Sequence, residues 1–232
     1  MKYGEIVKLG RHRLMRGDAT NGDDVMSLVD GAKIDLVLTD PPYGIQSVNP
    51  KTGQIGTYGK VYAPVIGDND TDMAEQNYRL MRIVCSRMII WGGQNFTRFL
   101  HPSCGWIFWD KMKGTDKLSF GDGELAWTNC ATRIKKYAFR WNGNIRDGDP
   151  ALNQKVHPNQ KPVELHMSIL SDFSQPGDVI LDCFGGSGTT LIAAELTGRT
   201  CLMMELSPEY CNIIKQRYET LMEGMIDFAS CN

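Results

Sequence analysis

Residues Val179 to Glu205 constrain the fold of this chain more than any other stretch. A run of buried type, Val179 to Cys183, leads into Phe184-Gly185-Gly186-Ser187-Gly188. A helix-forming segment, Thr189 to Leu196, follows, with Gly198 as its stop and a second strand, Cys201 to Glu205, behind it. Strand, tight turn, helix and strand in this order argue for a mostly parallel sheet. Glycines let a ligand approach the backbone closely, and a helix start offers unpaired amides. The loop is not a P-loop, because no Lys-Ser/Thr follows, and the dinucleotide fingerprint is incomplete, with Leu191 in the third glycine's place. Glu205 lies 23 residues after Asp182, near the spacing of roughly 20 at which a carboxylate grips ribose hydroxyls in nucleotide-binding folds.

The remaining chain extends the same pattern. A short strand pair, Glu5 to Leu9 and His12 to Arg16, turns near Gly10 and runs into Gly17-Asp18. A helix is predicted over Asp23 to Val29, then a buried strand over Ile34 to Thr39 that stops at Asp40-Pro41-Pro42-Tyr43-Gly44, where two prolines remove ladder donors. Residues 45 to 70 read as a long, mobile loop. A helix from Asp72, with Glu75 as its capping-box partner, precedes the apolar run Met88 to Trp91 and the breaker Gly92-Gly93. Further strands are predicted over Gly105 to Trp109, Glu124 to Thr128 and Lys136 to Trp141, with an irregular stretch over Asn142 to Pro158. Helices are predicted from Pro162 to Phe173 and from Ser207-Pro208 onward. At 232 residues one α/β domain accounts for the chain. No apolar run reaches the roughly 18 residues of a membrane span, and no signal peptide is recognisable, so a cytoplasmic protein is expected. Seven cysteines without a C-x-x-C pair and four scattered histidines point to apolar fillers rather than a metal or disulfide framework.

Asp40-Pro41-Pro42-Tyr43 is the second feature with chemistry in it. A carboxylate beside two residues without amide hydrogens makes a patch of acceptors. Such a patch suits an exocyclic amine, whose two N–H bonds need acceptors, and an adjacent aromatic stacks on the ring that carries the amine. Alone, the tetrapeptide is a turn; at the carboxyl end of a buried strand it stands where α/β sheets bind ligands.

Together, D-P-P-Y, F-G-G-S-G-T-T and His157-Pro158-Asn159-Gln160-Lys161-Pro162 resemble the amino-group DNA methyltransferases that use S-adenosylmethionine. D-P-P-Y comes first and the glycine loop last, as in the circularly permuted β group of that family. The resemblance implies a single Rossmann-like domain with helices on both faces of the sheet. It assigns Asp40, Pro41, Pro42 and Tyr43 to the target base. Asp182, Phe184, Gly185, Gly186, Ser187, Gly188 and Thr189 would cradle the cofactor, with Glu205 on its ribose. Asp18 matches the acid that contacts the cofactor adenine, and Lys161 with Asn159, where threonine is commoner, would neutralise its carboxylate. D-P-P-Y favours adenine as the target, with the N4 amine of cytosine as the alternative and a non-catalytic cofactor-holding subunit as a second. RNA or protein amines rank lower.

Double-stranded DNA is the partner so implied, and the resemblance allows a homodimer. Charge adds a hint. From Lys111 to Lys161 ten Lys/Arg stand against five Asp/Glu, a balance of +5 in a chain whose net charge is −2. Lys111, Lys113, Lys117, Arg133, Lys135, Lys136, Arg140 and Arg146 are therefore candidate phosphate contacts. Trp106, Trp109, Trp127 and Trp141 read as core, with Phe139 or Trp141 as a wall of the base pocket. His157 is expected to order its turn.

Overall fold

Two prolines end one buried strand and a glycine turn ends another, and the fold sets those two strand ends side by side. The computed structural model describes residues 1–45, 66–112, 122–142 and 145–230. The loop expected over 45 to 70 falls largely outside them, as do Lys113 and Lys117. The chain begins with strands β1 (Ile6–Leu9) and β2 (His12–Arg16), helix α1 (Gly22–Val29), β3 (Leu36–Thr39) and α2 (Asp72–Val84). Four strands follow, β4 (Met88–Trp91), β5 (Trp106–Asp110), β6 (Gly123–Thr128) and β7 (Ile134–Ala138), then the short pair β8 (Trp141–Asn142) and β9 (Ile145–Arg146). Last come α3 (Val163–Phe173), β10 (Val179–Asp182), α4 (Thr189–Leu196), β11 (Thr200–Glu205) and α5 (Pro208–Ser230).

Among the described residues nine strands form one sheet in the order β1-β2-β11-β10-β3-β4-β6-β5-β7. The centre, from β2 through β4, is parallel; β1, and β6 against both its neighbours, are antiparallel. Alternation along each central strand sends side chains to two cores. Leu36, Leu38, Ile89, Trp91, Ile180, Cys201 and Met203 face α3, α4 and α5. Val37, Met88, Ile90, Leu181, Leu202 and Met204 face α1 and α2. Helices on both faces of a mostly parallel sheet define a Rossmann-like architecture. Among the described residues no helix is long and apolar enough to cross a membrane.

Three local expectations are corrected. The strand placed over Lys136 to Trp141 is β7, which starts at Ile134 and stops at Ala138, opposite Asp110 of β5; Trp141 pairs with Arg146 in the separate β8–β9 ribbon while its amide donates to the Lys111 carbonyl at 3.2 Å. Helix α3 starts at Val163: Pro162 keeps an extended ψ of 141° and acts as the residue before the first turn. The capping box on α2 does not form, since the Glu75 carboxylate binds Arg79 and Arg98. Trp109 and Trp127 are buried as expected.

His12 locks β2 to the sheet. Its Nδ1 accepts the Cys201 amide at 2.8 Å while its Nε2–H donates to Glu195 Oε2 at 2.7 Å. Burial lowers its pKa, so the ring is neutral and one nitrogen is free to accept. His12→Ala leaves a buried amide and a carboxylate short of partners, a cost of about 1–3 kcal/mol. Urea unfolding of the variant checks this: an unchanged midpoint would show that the ring only fills space.

Candidate active site

Parallel pairing of β10 with β3 matches Ile180 with Leu36 and Leu181 with Val37, which brings Asp182 level with Leu38, one residue before Thr39. Asp182 is buried at this junction. Its Oδ1 accepts from Thr39 Oγ1 at 2.9 Å and from the Phe184 amide at 3.1 Å, and its Oδ2 accepts from Thr190 Oγ1 at 2.6 Å. One carboxylate thus ties the end of β3, the glycine loop and the first turn of α4. Burial pushes its carboxyl up to about 7 against these hydrogen bonds.

The glycine loop sits between Asp182 and the end of β11. The Gly185 amide donates to the Met204 carbonyl at 2.8 Å, and a Cβ at Gly185 would come within 2.8 Å of Met203. Gly186 is left-handed at φ +51°, which a side chain rarely adopts. Its amide donates to Glu205 Oε2 at 2.7 Å, while Glu205 Oε1 accepts from the Ser207 amide at 2.8 Å. Burial pushes the Glu205 carboxyl up to about 7 in spite of both amides. A cleft runs over this floor, lined by Phe184 to Ser187, Thr189 and Glu205 on one side and by Asp40 to Tyr43 on the other. His166 lines it too, and its Nε2 is buried without a hydrogen-bond partner, an orphaned polar atom of the kind a bound ligand satisfies. Glycine backbone, a carboxylate at a strand end and an orphaned donor or acceptor together suit a nucleoside-type cofactor.

Asp40 leaves β3 on the α3 side. Its Oδ1 accepts from the Tyr43 hydroxyl at 2.7 Å and its Oδ2 from the Lys161 ammonium. Burial pushes the Asp40 carboxyl up, Lys161 pulls it back and Glu124 adds to the rise; the net is above the usual carboxylate range. Tyr43 packs edge-on against Phe96, with centroids 6.1 Å apart. It also lies over Gly92, where a Cβ would fall 2.2 Å from the ring. The breaker after β4 is therefore a place cleared for Tyr43. Beyond the motif, Asp68 accepts the Gly44 and Ile45 amides and pins the outgoing chain.

Other residues singled out in the sequence stand as follows. Asp18 accepts from the Thr20 amide and hydroxyl at 2.8 and 2.7 Å, and its neighbours Gly17 and Ala19, rather than Asp18 itself, line the cleft. Asn159 lines the cleft, its amide donating to His157 Nδ1 at 3.2 Å, and His157 orders that turn as a neutral ring, with burial lowering its pKa to about 3. Lys161 lines the cleft beside Asn159. Its ammonium is engaged by Asp40 and, at 3.3 Å, by Glu124, because a cation buried this deeply needs carboxylate partners. Glu124 went unnoticed in the sequence; its only signal was an acid at the start of an otherwise apolar strand.

The basic stretch is less bare than its composition. Lys111 pairs with Glu124, Lys135 with Asp172 and Lys136 with Asp110. Arg146 lies over the Trp141 ring and Arg140 is half-buried, whereas Arg133 is exposed. Asp110 and Asp172, which lie outside the stretch, thus offset two charges of the +5, and Glu124 is an acid already counted within it. Phe139 and Trp141 pack against the core cluster of α3 to α5 and do not line the cleft.

Fold and cleft together define a Rossmann-like methyltransferase, and comparison with known proteins gives the family. The family model described as DNA methylase matches residues 126–216. The type II methyltransferase M.HinfI of Haemophilus influenzae is 36% identical over 88% of this chain and 67% of its own length. The type II methyltransferase M.HpaI of Haemophilus parainfluenzae is 24% identical over 88% of this chain and 74% of its own. Among solved structures, the M1.HpyAVI–SAM complex is similar with a TM-score of 0.54 and 22% identity, covering 88% of this chain and 97% of that one. The PvuII DNA methyltransferase (cytosine-N4-specific) is similar with a TM-score of 0.62 and 15% identity, covering 96% and 94%. This chain belongs to the amino-group DNA methyltransferases, the N6-adenine and N4-cytosine enzymes that use S-adenosylmethionine.

The Glu205 carboxyl yields a pH prediction. Unfolded, it ionises near 4.5; folded, near 7. Between these values the unfolded chain has released a proton that the folded one retains, so rising pH costs stability, fully so above the folded value. Glu205→Gln lacks this cost. The melting temperature of Glu205→Gln minus that of the wild type should rise from about pH 5 to about pH 8 without cofactor. A constant difference would mean that Glu205 ionises normally.

Proposed function

We propose that this protein methylates the exocyclic N6 amine of adenine in double-stranded DNA. The observation that carries the reading is the Asp40–Tyr43 pair at the end of β3, beside the glycine loop at the end of β10. An aromatic amine is a poor nucleophile because its lone pair is delocalised into the ring. Asp40 and the Pro41 carbonyl accept its hydrogens, draw them from the ring plane and localise that pair. Bound S-adenosylmethionine supplies an electrophilic methyl group. The chain's own task is to align the amine with it, which accounts for much of the acceleration. An amine inside a base pair is out of reach, so the nucleotide is flipped and stacks on Tyr43.

Phe184 to Gly188, with Asp182 and Thr189 beneath them, hold the methionine part of the cofactor in this reading; Glu205 takes the ribose hydroxyls and Asn159 the carboxylate. Asp18 supports the adenine end through the Gly17–Ala19 turn. Lys161 belongs to the acceptor end, since two carboxylates already hold it. Arg133 and Arg146 contact phosphates, and Lys135 and Lys136 exchange their acids for phosphates on binding. A homodimer is compatible with this reading.

The second reading is the N4 amine of cytosine, the specificity in the name of one structural neighbour. Digesting treated DNA to nucleosides and identifying the methylated base by mass spectrometry decides between them: N4-methylcytosine alone would overturn the adenine assignment. In single-turnover transfer of labelled methyl, Asp40→Ala is expected to lose roughly 100- to 1,000-fold, as for removal of one preorganised polar group. Tyr43→Phe should lose less than Tyr43→Ala, because stacking uses the ring. Near-normal transfer by Asp40→Ala would end this mechanism. Calorimetry should give one cofactor per chain, strongly weakened by Glu205→Ala and by Gly186→Val, whose branched side chain disfavours the left-handed backbone that position 186 adopts. Undiminished binding by both would place the cofactor elsewhere.

A further inference from the structure

Four charged side chains meet where β3, β4 and β6 come to the same edge. Because β6 runs against β4, its first residues lie where β3 and β4 end, and the Gly92 amide donates to the Leu125 carbonyl at 2.9 Å. Strand alternation then sorts the faces. Asp40 is two residues after Leu38, Glu124 two before Ala126 and Lys111 two after Trp109, and all three reference residues belong to the core under α3 to α5. Lys161 enters α3 from that side. Its ammonium sits between Asp40 Oδ2 and Glu124 Oε2, 4.9 Å over the Trp91 ring, while Lys111 holds the other Glu124 oxygen. The Lys161 side chain is 4% exposed, whereas those of Glu124 and Lys111 are about one quarter exposed.

Lys161 alone on Asp40 would make a closed, neutral pair at the point where the target amine gains positive charge as it takes the methyl group. Placing a second carboxylate on the same ammonium changes the sum. Asp40, Lys161 and Glu124 together carry one negative charge, and Lys111 lies further out, where solvent screens it. Lys161 and Lys111 outweigh burial at Glu124 and hold its carboxyl below the usual range, so the second charge is present. Glu124 is also among the groups that make Asp40 more basic and so a stronger acceptor.

We propose that Glu124 is a positioning residue for methyl transfer: by sharing the Lys161 ammonium it leaves the Asp40 carboxylate less neutralised by that cation, with a lone pair open to the target amine. The proposal rests on Asp40 as the amine's acceptor, and Asp40→Ala is therefore run beside it. Single-turnover methyl transfer to DNA, cofactor affinity and DNA affinity are measured for Glu124→Gln, which keeps the shape and removes the charge, and for Glu124→Asp. Glu124→Gln is expected to slow transfer by on the order of 10- to 100-fold, as for groups that orient a metal ligand. Both affinities should stay within about threefold, a small shift on the scale where tenfold is 1.4 kcal/mol. Glu124→Asp should recover much of the rate. A Glu124→Gln rate within about twofold of wild type, or a fall in cofactor affinity that accounts for the slower rate, would overturn the proposal. Failure of Glu124→Asp to exceed Glu124→Gln would do the same. A slow Asp40→Ala with a normal Glu124→Gln removes this inference alone; a normal Asp40→Ala removes the acceptor assignment and the inference with it.

Discussion

Everything at the cleft depends on one buried carboxylate. Asp182 takes hydrogen bonds from Thr39, Thr190 and the Phe184 amide, and these three belong to the amine-side strand, the helix and the glycine loop. An acid in this position carries a desolvation cost unless its oxygens are satisfied, and satisfying them fixes the relative height of β3 and β10. The two motifs, more than a hundred residues apart in the chain, therefore meet by strand register rather than by loop contacts. A site built this way does not depend on the order of its motifs along the chain: the sheet holds spatial neighbours together, and the chain order between them is free to differ.

Much of this was legible from local patterns. The unit from Val179 to Glu205 carried strand, turn and helix signals that agree with its final surroundings, and the two prolines after Asp40 marked the end of β3. Less legible was whatever depends on partners distant in sequence. Pro162 has the residue type of a first helical position, and only its extended ψ moves the start to Val163. The end of β7 lies opposite the end of β5, which no pattern within Lys136 to Trp141 records.

Charge was the hardest property to read. A positive count along the chain says nothing of acids arriving from other elements, and Asp110, Asp172 and Glu124 took up lysines that looked like a DNA-facing patch. Lys161 shows the same limit at the cleft. Its motif fixed its place in the sequence, but its burial decided its partners, since an ammonium out of water is held where carboxylates are. Glu124 could not be singled out at all until β6 was known to run antiparallel. Gly92 looked like a breaker, and became a space for Tyr43 only once the ring was placed.

The reversed direction of β6 has one more consequence. Side chains on a strand alternate faces, so a slip of one residue against β4 would turn Glu124 away from Lys161 and present a glycine or a leucine in its place. The hydrogen-bond ladder between β4 and β6 thus acts as a ruler for charge. Residues deep in the sheet with no chemistry of their own, such as Ile90 opposite Trp127, set whether Lys161 meets one carboxylate or two.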